Sequence, residues 1–240
     1  TNRIVKALVA AADERTHEAA LKFERELPYG LPADMAQRIS VLEPSQALAV
    51  KAAAALLLIV FGLKAALLPF HFWLPAAYSQ ANASVAAIFA VMTKVGIYSL
   101  LRVFGLLFGA TAGTLSGYGD TLLWWGGLLT MLLATAMVLA AVDLKGMAAA
   151  LVLLSAGTLL TALGSGVAEV KSAAMLYSVH SSWIGAVWFL LADQIGQQRG
   201  SVGDRLVPGP RLVQPQLYGW LFALSALVVI GMPPFSGFVA

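Results

Sequence analysis

Three ionisable side chains lie deep within apolar stretches of this sequence: Lys64, Lys94 and His180. A charge at the centre of a bilayer costs about 2.5–3.5 kcal/mol on insertion scales, so these residues need a compensating role. Desolvation disfavours the charged form of a buried lysine, and the charge of its neighbours decides whether it holds a proton. Histidine gains and loses a proton near neutral pH. Their position therefore predicts a path for protons through a membrane.

Hydroxyl side chains lie beside these residues or in neighbouring apolar stretches. They are Thr93, Ser155, Thr158, Ser181 and Ser182. Such groups can order water between proton carriers, since a buried water needs two to four polar partners. Other interpretations are open at this point: Lys64 and Lys94 could extend to the membrane surface, and His180 could form a structural hydrogen bond.

Prolines interrupt two of the apolar stretches, at Pro69 and Pro75 and at Pro233 and Pro234. Each removes a backbone hydrogen bond and clashes with the preceding helical turn. Broken helices are tolerated where protein or a water-filled cavity covers the freed backbone groups, and they recur at transporter sites. Two interrupted helices therefore favour a transport path over ordinary kinks. His71, between the first two prolines, belongs either to that path or to the membrane interface.

The composition is that of an integral membrane protein. Of 240 residues, 60% are hydrophobic and 11% are charged, against about 25% charged in soluble domains. This excludes a soluble enzyme and, because there is no basic patch, a nucleic-acid-binding protein. The sequence contains no glycine-rich phosphate loop, no zinc-type or haem ligand pair and no cysteine. We therefore expect no cofactor and no metal, and a transporter subunit rather than an enzyme.

Six apolar stretches are long enough to cross a hydrocarbon core of about 30 Å. They cover 48–79, 83–108, 121–142, 146–166, 170–195 and 216–240. The sequence predicts an all-α, polytopic transmembrane bundle over 47–240, in which short connections make neighbouring helices antiparallel. Because the chain begins at Thr1 and ends inside an apolar stretch, we expect a fragment of a longer membrane protein. Arg102, Asp143 and Asp193 stand near helix ends, which is typical of interfacial or solvated side chains.

Residues 1–46 differ from the rest of the sequence because they are polar and charged. Their apolar residues fall near helical spacing, which indicates one or two amphipathic helices. Lysine and arginine are concentrated in the short loops 143–145 and 196–215, so these loops should face the cytoplasm. Residues 1–46 are then an extracytoplasmic loop of a multi-pass protein in a bacterial inner membrane.

Several motifs, taken in order, resemble those of one family. They are Gly62-Leu-Lys64, Pro69-Phe-His71-Phe-Trp73-Leu-Pro75, Thr93-Lys94-Val-Gly96, Ser155-Ala-Gly157-Thr158, Val179-His180-Ser181 and Gly231-Met-Pro233-Pro234-Phe-Ser-Gly237. The set is similar to the antiporter-like family, which covers Mrp-type cation/proton antiporters and the proton-pumping membrane subunits of respiratory complex I. The stretch from His180 to Arg205 is most similar to the D-type Mrp subunits.

This resemblance implies a fourteen-helix fold with two broken helices, of which the sequence would hold the seventh to the twelfth. It also implies a role for each buried ionisable residue. Lys64 would pair with a glutamate outside this sequence, Lys94 would carry the proton, and His180 would lie on the onward path.

The predicted function is that of a proton-translocating subunit in a multisubunit Na⁺/H⁺ antiporter. Its partners would be the other subunits, the lipid bilayer, H⁺, and Na⁺ or another monovalent cation, without nucleic acid. One alternative is a proton-pumping subunit of an NADH–quinone oxidoreductase or a membrane hydrogenase. The other is a scaffold subunit that transports nothing.

Overall fold

A computed structural model describes residues 35–42, 44–233 and 235–239, and this part of the chain is helical with no β-strand. The predicted surface helices of 1–34 lie outside the described residues, and the boundary at 46/47 stays a prediction. The helices are α1 (Met35–Ser40), α2 (Pro44–Lys64), α3 (Trp73–Gln80), α4 (Ala83–Leu107), α5 (Asp120–Leu139), α6 (Leu144–Gly164), α7 (Ala168–Arg199), α8 (Pro215–Ile230) and α9 (Ser236–Val239).

Five helical segments within the described residues are long and apolar enough to cross a membrane. They are Gln46–Lys64, Ala83–Leu107, Gly113–Leu139, Leu144–Gly164 and Ala168–Val202. The sixth predicted stretch is the shorter apolar helix α8 followed by a break and the short helix α9. The predicted fold class, an all-α transmembrane bundle with two broken helices, is therefore confirmed.

The chain divides into two compact units, which we describe separately. The first comprises residues 1–53 and 102–118. In its described part, the Tyr118 hydroxyl donates to the Lys51 carbonyl at 3.2 Å, and the rings of Phe104, Phe108 and Tyr118 pack in series. Arg102 begins the second segment of this unit, and its Nε is buried without a hydrogen-bond partner among the described residues.

The second unit, residues 54–101 and 119–240, is organised around α6. This helix packs against α3, α5 and α7. Its close approach to α5 depends on glycine: a Cβ on Gly157 would lie 2.8 Å from the Met131 nitrogen and 3.0 Å from the Gly127 oxygen. Small residues at such contacts let membrane helices pack tightly, since dispersion forces rather than hydrophobicity hold them together there. Helix α6 is therefore the central support of this unit.

The first helix break begins where α2 ends, at Lys64, ahead of Pro69. The backbone N–H of Leu67 donates to the Gly62 carbonyl and that of Ala66 to the Leu63 carbonyl, which is the hydrogen-bond pattern of a Schellman cap. Glycine is usual at the left-handed position of this cap, but here Ala66 occupies it with φ of 57°. The chain then passes Pro69 through a short 3₁₀ turn, Phe70–Phe72, into α3.

Pro75 does not break a helix, contrary to the sequence-based expectation. It occupies the third position of α3, where its missing N–H would have no partner inside the helix in any case. Two side chains satisfy backbone groups that the break frees: the Leu68 N–H donates to the Thr130 hydroxyl at 3.0 Å, and the Trp73 indole donates to the Leu63 carbonyl at 2.9 Å. Neighbouring helices must supply such partners where water is absent.

The second break follows α8 and uses the same cap with glycine at the left-handed position. Gly231 has φ of 76°, its N–H donates to Val228, and the next N–H donates to Leu227. Pro233 follows the cap as expected, while Pro234 lies outside the described residues. The chain then turns so that Gly237 of α9 returns to the end of α8, where a Cβ would lie 2.6 Å from the Val228 oxygen.

We expect Thr130→Val to destabilise the first break. Valine leaves the Leu68 N–H without its acceptor, and an unsatisfied buried donor costs about 1–3 kcal/mol. Thr135→Val is the matched control on the same helix, because the exposed Thr135 hydroxyl donates only to the Met131 carbonyl of its own helix. Thermal unfolding of the purified full-length protein in detergent should show a lower midpoint for Thr130→Val alone. Equal midpoints for the two variants would contradict the role of Thr130.

Candidate functional site

Lys94 lies halfway along α4 with only 5% of its surface exposed. Its ammonium donates to the Ser155 hydroxyl of α6. Ser155 in turn donates to the Val152 carbonyl at 2.7 Å. A buried ammonium needs such a partner, because the low-dielectric interior cannot replace the water that it loses. The structure therefore joins two candidate residues that are 61 positions apart in the sequence.

Ser155 also lines a cavity of about 170 Å³ between α6, α7 and the end of α8. This volume holds several water molecules, since one water occupies roughly 30 Å³ in the liquid. Five of the lining residues carry a hydroxyl or an imidazole group, and four of these five are sequence-predicted candidates: Ser155, Thr158, Tyr177, His180 and Ser181. Ser155, which accepts from Lys94, and His180 therefore line the same cavity.

His180 is buried in the wall of the cavity, close to the second helix break. Its ring hydrogen-bonds with the backbone of Val228 in α8. Gly237 of α9 approaches so closely that a Cβ there would lie 3.0 Å from the His180 Nε2. The second break therefore places backbone against the histidine, as a broken helix beside a polar site is expected to do.

Two cavity residues with polar groups, Tyr177 and Trp188, were not among the sequence-based candidates. Tyr177 hydrogen-bonds with Thr158, and its ring lies 6.1 Å from that of His180. Trp188 is 5% exposed, and its Nε1 has no hydrogen-bond partner among the described residues. The sequence does contain one signal that could have identified them, which is their spacing. Residues 177, 181, 184 and 188 recur every three or four positions and therefore share a face of α7 with His180.

Lys64 does not lie in this cavity. It ends α2, and its aliphatic stem packs on Gly96 of α4, where a Cβ would lie 3.0 Å from the Lys64 Cγ. Positions 94 and 96 are about 200° apart around a helix. The Lys64 stem and the Lys94 side chain therefore lie on opposite flanks of α4.

The remaining candidates have separate surroundings. Thr93 shares a hydrogen bond with Tyr78 of α3, so its hydroxyl faces away from the cavity. Ser182 donates to the Ser178 carbonyl of its own helix and is not a lining residue. His71 lies in the 3₁₀ turn of the first break, and its buried Nδ1 has no hydrogen-bond partner among the described residues.

The aspartates at helix ends are engaged in contacts, which the sequence did not indicate. Asp143 caps α6 by accepting the Gly146 N–H at 2.6 Å. Asp193 forms an ion pair with Lys145 at 2.9 Å. No cluster of three or more potential metal ligands occurs within the described ranges.

Residues 37–240 match the family described as NADH:quinone oxidoreductase/Mrp antiporter, transmembrane region. The chain belongs to this family. The resemblance stated from the sequence motifs is thereby confirmed, and so is the assignment to a multi-pass membrane protein.

Members of this antiporter family from several bacteria are similar to the chain. It is 36% identical over 230 residues to the D-type subunit of a probable K⁺/H⁺ antiporter of Rhizobium meliloti, an alignment that covers 87% of the chain and 42% of the relative. It is 31% identical over 208 residues to the D-type subunit of the Na⁺/H⁺ antiporter of Bacillus subtilis, covering 86% and 41%. The chain thus spans about two fifths of the length of these relatives.

A solved structure of this antiporter family has a similar fold. A chain of the Mrp complex from Dietzia sp. DQ12-45-1b superposes with a TM-score of 0.67 at 25% identity, covering 85% of this chain and 37% of that chain. The likeness supports the helical fold of this chain.

We expect Ser155→Ala to destabilise the protein through Lys94. Alanine removes the acceptor of the buried ammonium, and hydrogen bonds to charged groups contribute about 1.5–3 kcal/mol. Ser172→Ala is the control, because the exposed Ser172 hydroxyl donates only to the Glu169 carbonyl of its own helix. A double-mutant cycle with Lys94→Met isolates the pair. In thermal unfolding, Ser155→Ala should have little further effect once Lys94 is methionine, and strictly additive effects would contradict the contact.

Proposed function

We propose that this chain is part of the proton-translocating subunit of a multisubunit monovalent cation/proton antiporter. The relatives named above are antiporter subunits, which favours a transporter over an enzyme. The observation that carries the proposal is that the buried Lys94 donates to Ser155, which lines the same cavity as His180.

In the proposed mechanism, Lys94 is the proton carrier at the centre of the membrane. Burial disfavours its charged form, while the Ser155 hydroxyl accepts a hydrogen bond from the protonated amine. When Lys94 releases its proton, Ser155 can pass it to cavity water by rotating its hydroxyl group. Thr158, Tyr177 and Ser181 then offer water the polar partners that it needs on the way to His180.

Lys64 influences Lys94 from a distance in this proposal. The two side chains lie on opposite flanks of α4, so the coupling is electrostatic and passes through a medium of low dielectric constant. A second charge nearby disfavours protonation of Lys94, and an anionic partner that neutralises Lys64 removes this effect. The broken helix sets the position of Lys64, because α2 ends at that residue.

We propose the following orientation and partners. The end of the bundle that carries Lys145 and the loop 200–214 faces the cytoplasm of a bacterial cell, since arginines are concentrated there. Residues 1–46 then lie on the extracytoplasmic side. The partners are the other subunits of the antiporter complex and the lipid bilayer. The cation is Na⁺ or K⁺, the two that the relatives' names mention.

We expect Lys94→Ala to abolish cation-induced proton movement without preventing assembly. The test uses everted vesicles from antiporter-deficient bacteria that express the full-length protein with its neighbouring subunits. A pH-sensitive dye reports collapse of the proton gradient when Na⁺ or K⁺ is added. Lys94→Met preserves side-chain length, and Lys51→Ala is the control, because Lys51 is exposed and lies outside the cavity.

The other outcomes separate the alternative functions. Full exchange in both Lys94 variants would contradict the proposed proton path and favour a scaffold subunit. The third outcome is that vesicles with the wild-type protein do not respond to Na⁺ or K⁺ but become acidic when NADH or another reductant is added. This result would assign the protein to a redox-driven proton pump.

A further inference from the structure

Two ion pairs form among the described residues of this apolar chain, one at each end of the bundle of α5, α6 and α7. Lys171 lies 3.9 Å from Asp120 where α5 and α7 begin. Lys145, at the start of α6, lies 2.9 Å from Asp193, near the end of α7. We refer to these two ends of the bundle as the Asp120 end and the Lys145 end.

The pair at the Lys145 end is only partly solvated. Each side chain is 23% exposed, and Gln197 donates to the second carboxylate oxygen of Asp193 at 2.6 Å. Burying charge in this way is seldom a gain in stability, because desolvation offsets most of the attraction. An ion pair kept at such a partly buried helix end therefore suggests a role other than stability.

The polar cavity lies closer to this pair than to the other one. Along α6, Ala148 lines the cavity three residues beyond Lys145, a rise of about 4.5 Å. Along α7, Trp188 lines it five residues before Asp193, about 7.5 Å away. At the opposite end, six residues separate Tyr177 from Lys171, a rise of about 9 Å.

Trp188 is the cavity-lining residue of α7 that is nearest in sequence to Asp193. Its ring packs edge-on against Phe222 of α8 with centroids 5.0 Å apart. Its buried Nε1 has no hydrogen-bond partner among the described residues. A buried N–H group is normally satisfied by protein or by ordered water, so a water in the cavity beside Trp188 would give this group a partner.

We propose that the Lys145–Asp193 pair forms the aqueous mouth of the cavity and that Asp193 relays protons between bulk water and the cavity. This inference rests on the proposed antiport function. A hydronium ion at the mouth gives its proton to an Asp193 carboxylate oxygen and leaves as water. The carboxylic acid then gives the proton to a cavity water beside Trp188, which restores the carboxylate and its pairing with Lys145.

The charged and titratable groups around Asp193 are few. Lys145 and Asp143 face it from the start of α6, Arg199 follows it on α7, Tyr218 lies on α8, and Asp204 and Arg205 belong to the connecting loop. Asp204 accepts the Lys145 backbone N–H at 2.9 Å, which holds the start of α6 in place. Lys145 is the residue whose side-chain charge contacts Asp193 directly.

We expect Asp193→Asn to reduce the initial rate of cation-induced proton movement at least tenfold in the vesicle assay. Asparagine keeps an oxygen that accepts a hydrogen bond from Lys145 but cannot take up a proton. The substitution therefore removes the proposed proton relay while keeping the structural contact. Asp193→Glu should retain most of the rate. Asp120→Asn is the matched control, because it alters the other ion pair of the same bundle, and it should change the rate less than twofold.

Cysteine accessibility tests the mouth without relying on transport. This chain has no cysteine. In a full-length protein and complex from which any cysteines outside this chain have been replaced, Ala148→Cys places one thiol on the cavity wall. A small, membrane-impermeant methanethiosulfonate should modify it from the side that modifies Ser201→Cys and not from the side that modifies Ser172→Cys. These two exposed positions mark the Lys145 end and the Asp120 end. Leu151→Cys, also on the cavity wall, replaces Ala148→Cys if that variant does not assemble.

The outcomes distinguish this inference from the function on which it rests. Unchanged exchange in Asp193→Asn, with loss in Lys94→Ala, would overturn the relay and leave the antiport proposal standing. If Ala148→Cys is modified from the side that modifies Ser172→Cys, or from neither side, the cavity does not open at the Lys145 end and the proposed mouth is refuted. Absence of cation-induced proton movement in the wild-type protein would refute the antiport function and, with it, the relay by Asp193. The cysteine-modification experiment would still show at which end the cavity opens.

Discussion

The lack of water in the hydrocarbon core governs this structure. Every backbone or side-chain polar group placed there must find a partner within the protein. The first break meets this requirement because Thr130 and Trp73 bond the groups that the broken helix frees. The same requirement places Ser155 against the Lys94 ammonium. Lys94 and His180 find their partners on neighbouring helices, whereas the hydroxyl groups of Ser155, Thr158 and Ser181 donate to carbonyls of their own helices.

Helix α6 connects the structural and functional parts of this arrangement. Gly157 allows α5 to pack closely on one side of α6. Two residues away, Ser155 accepts from Lys94 and lines the cavity that α7 completes. Tight packing fixes the rotation of α6, and that rotation decides whether the Ser155 hydroxyl reaches Lys94. Substitutions in the α5–α6 contact should for this reason alter the position of Ser155 in the cavity wall.

The two breaks serve different residues although they are capped alike. The first ends α2 at Lys64 and relies on Ala66 in a left-handed conformation, which alanine adopts at some cost in free energy. Strain retained beside a candidate site suggests a functional constraint on the backbone. The second uses Gly231 without such strain and brings Gly237 against His180.

The sequence by itself determined the helical class, the interrupted stretches and the depth of Lys94 and His180. These follow from local properties: apolar length sets a span, and proline disfavours the preceding turn wherever it occurs. Only the tertiary structure decided which side chains meet. It placed Lys64 and Lys94 on opposite flanks of α4, added Tyr177 and Trp188 to the cavity, and paired Asp193 with a lysine 48 residues away. Such contacts depend on the rotation and neighbours of each helix, because a long apolar helix without a polar face does not indicate from its sequence which side it buries.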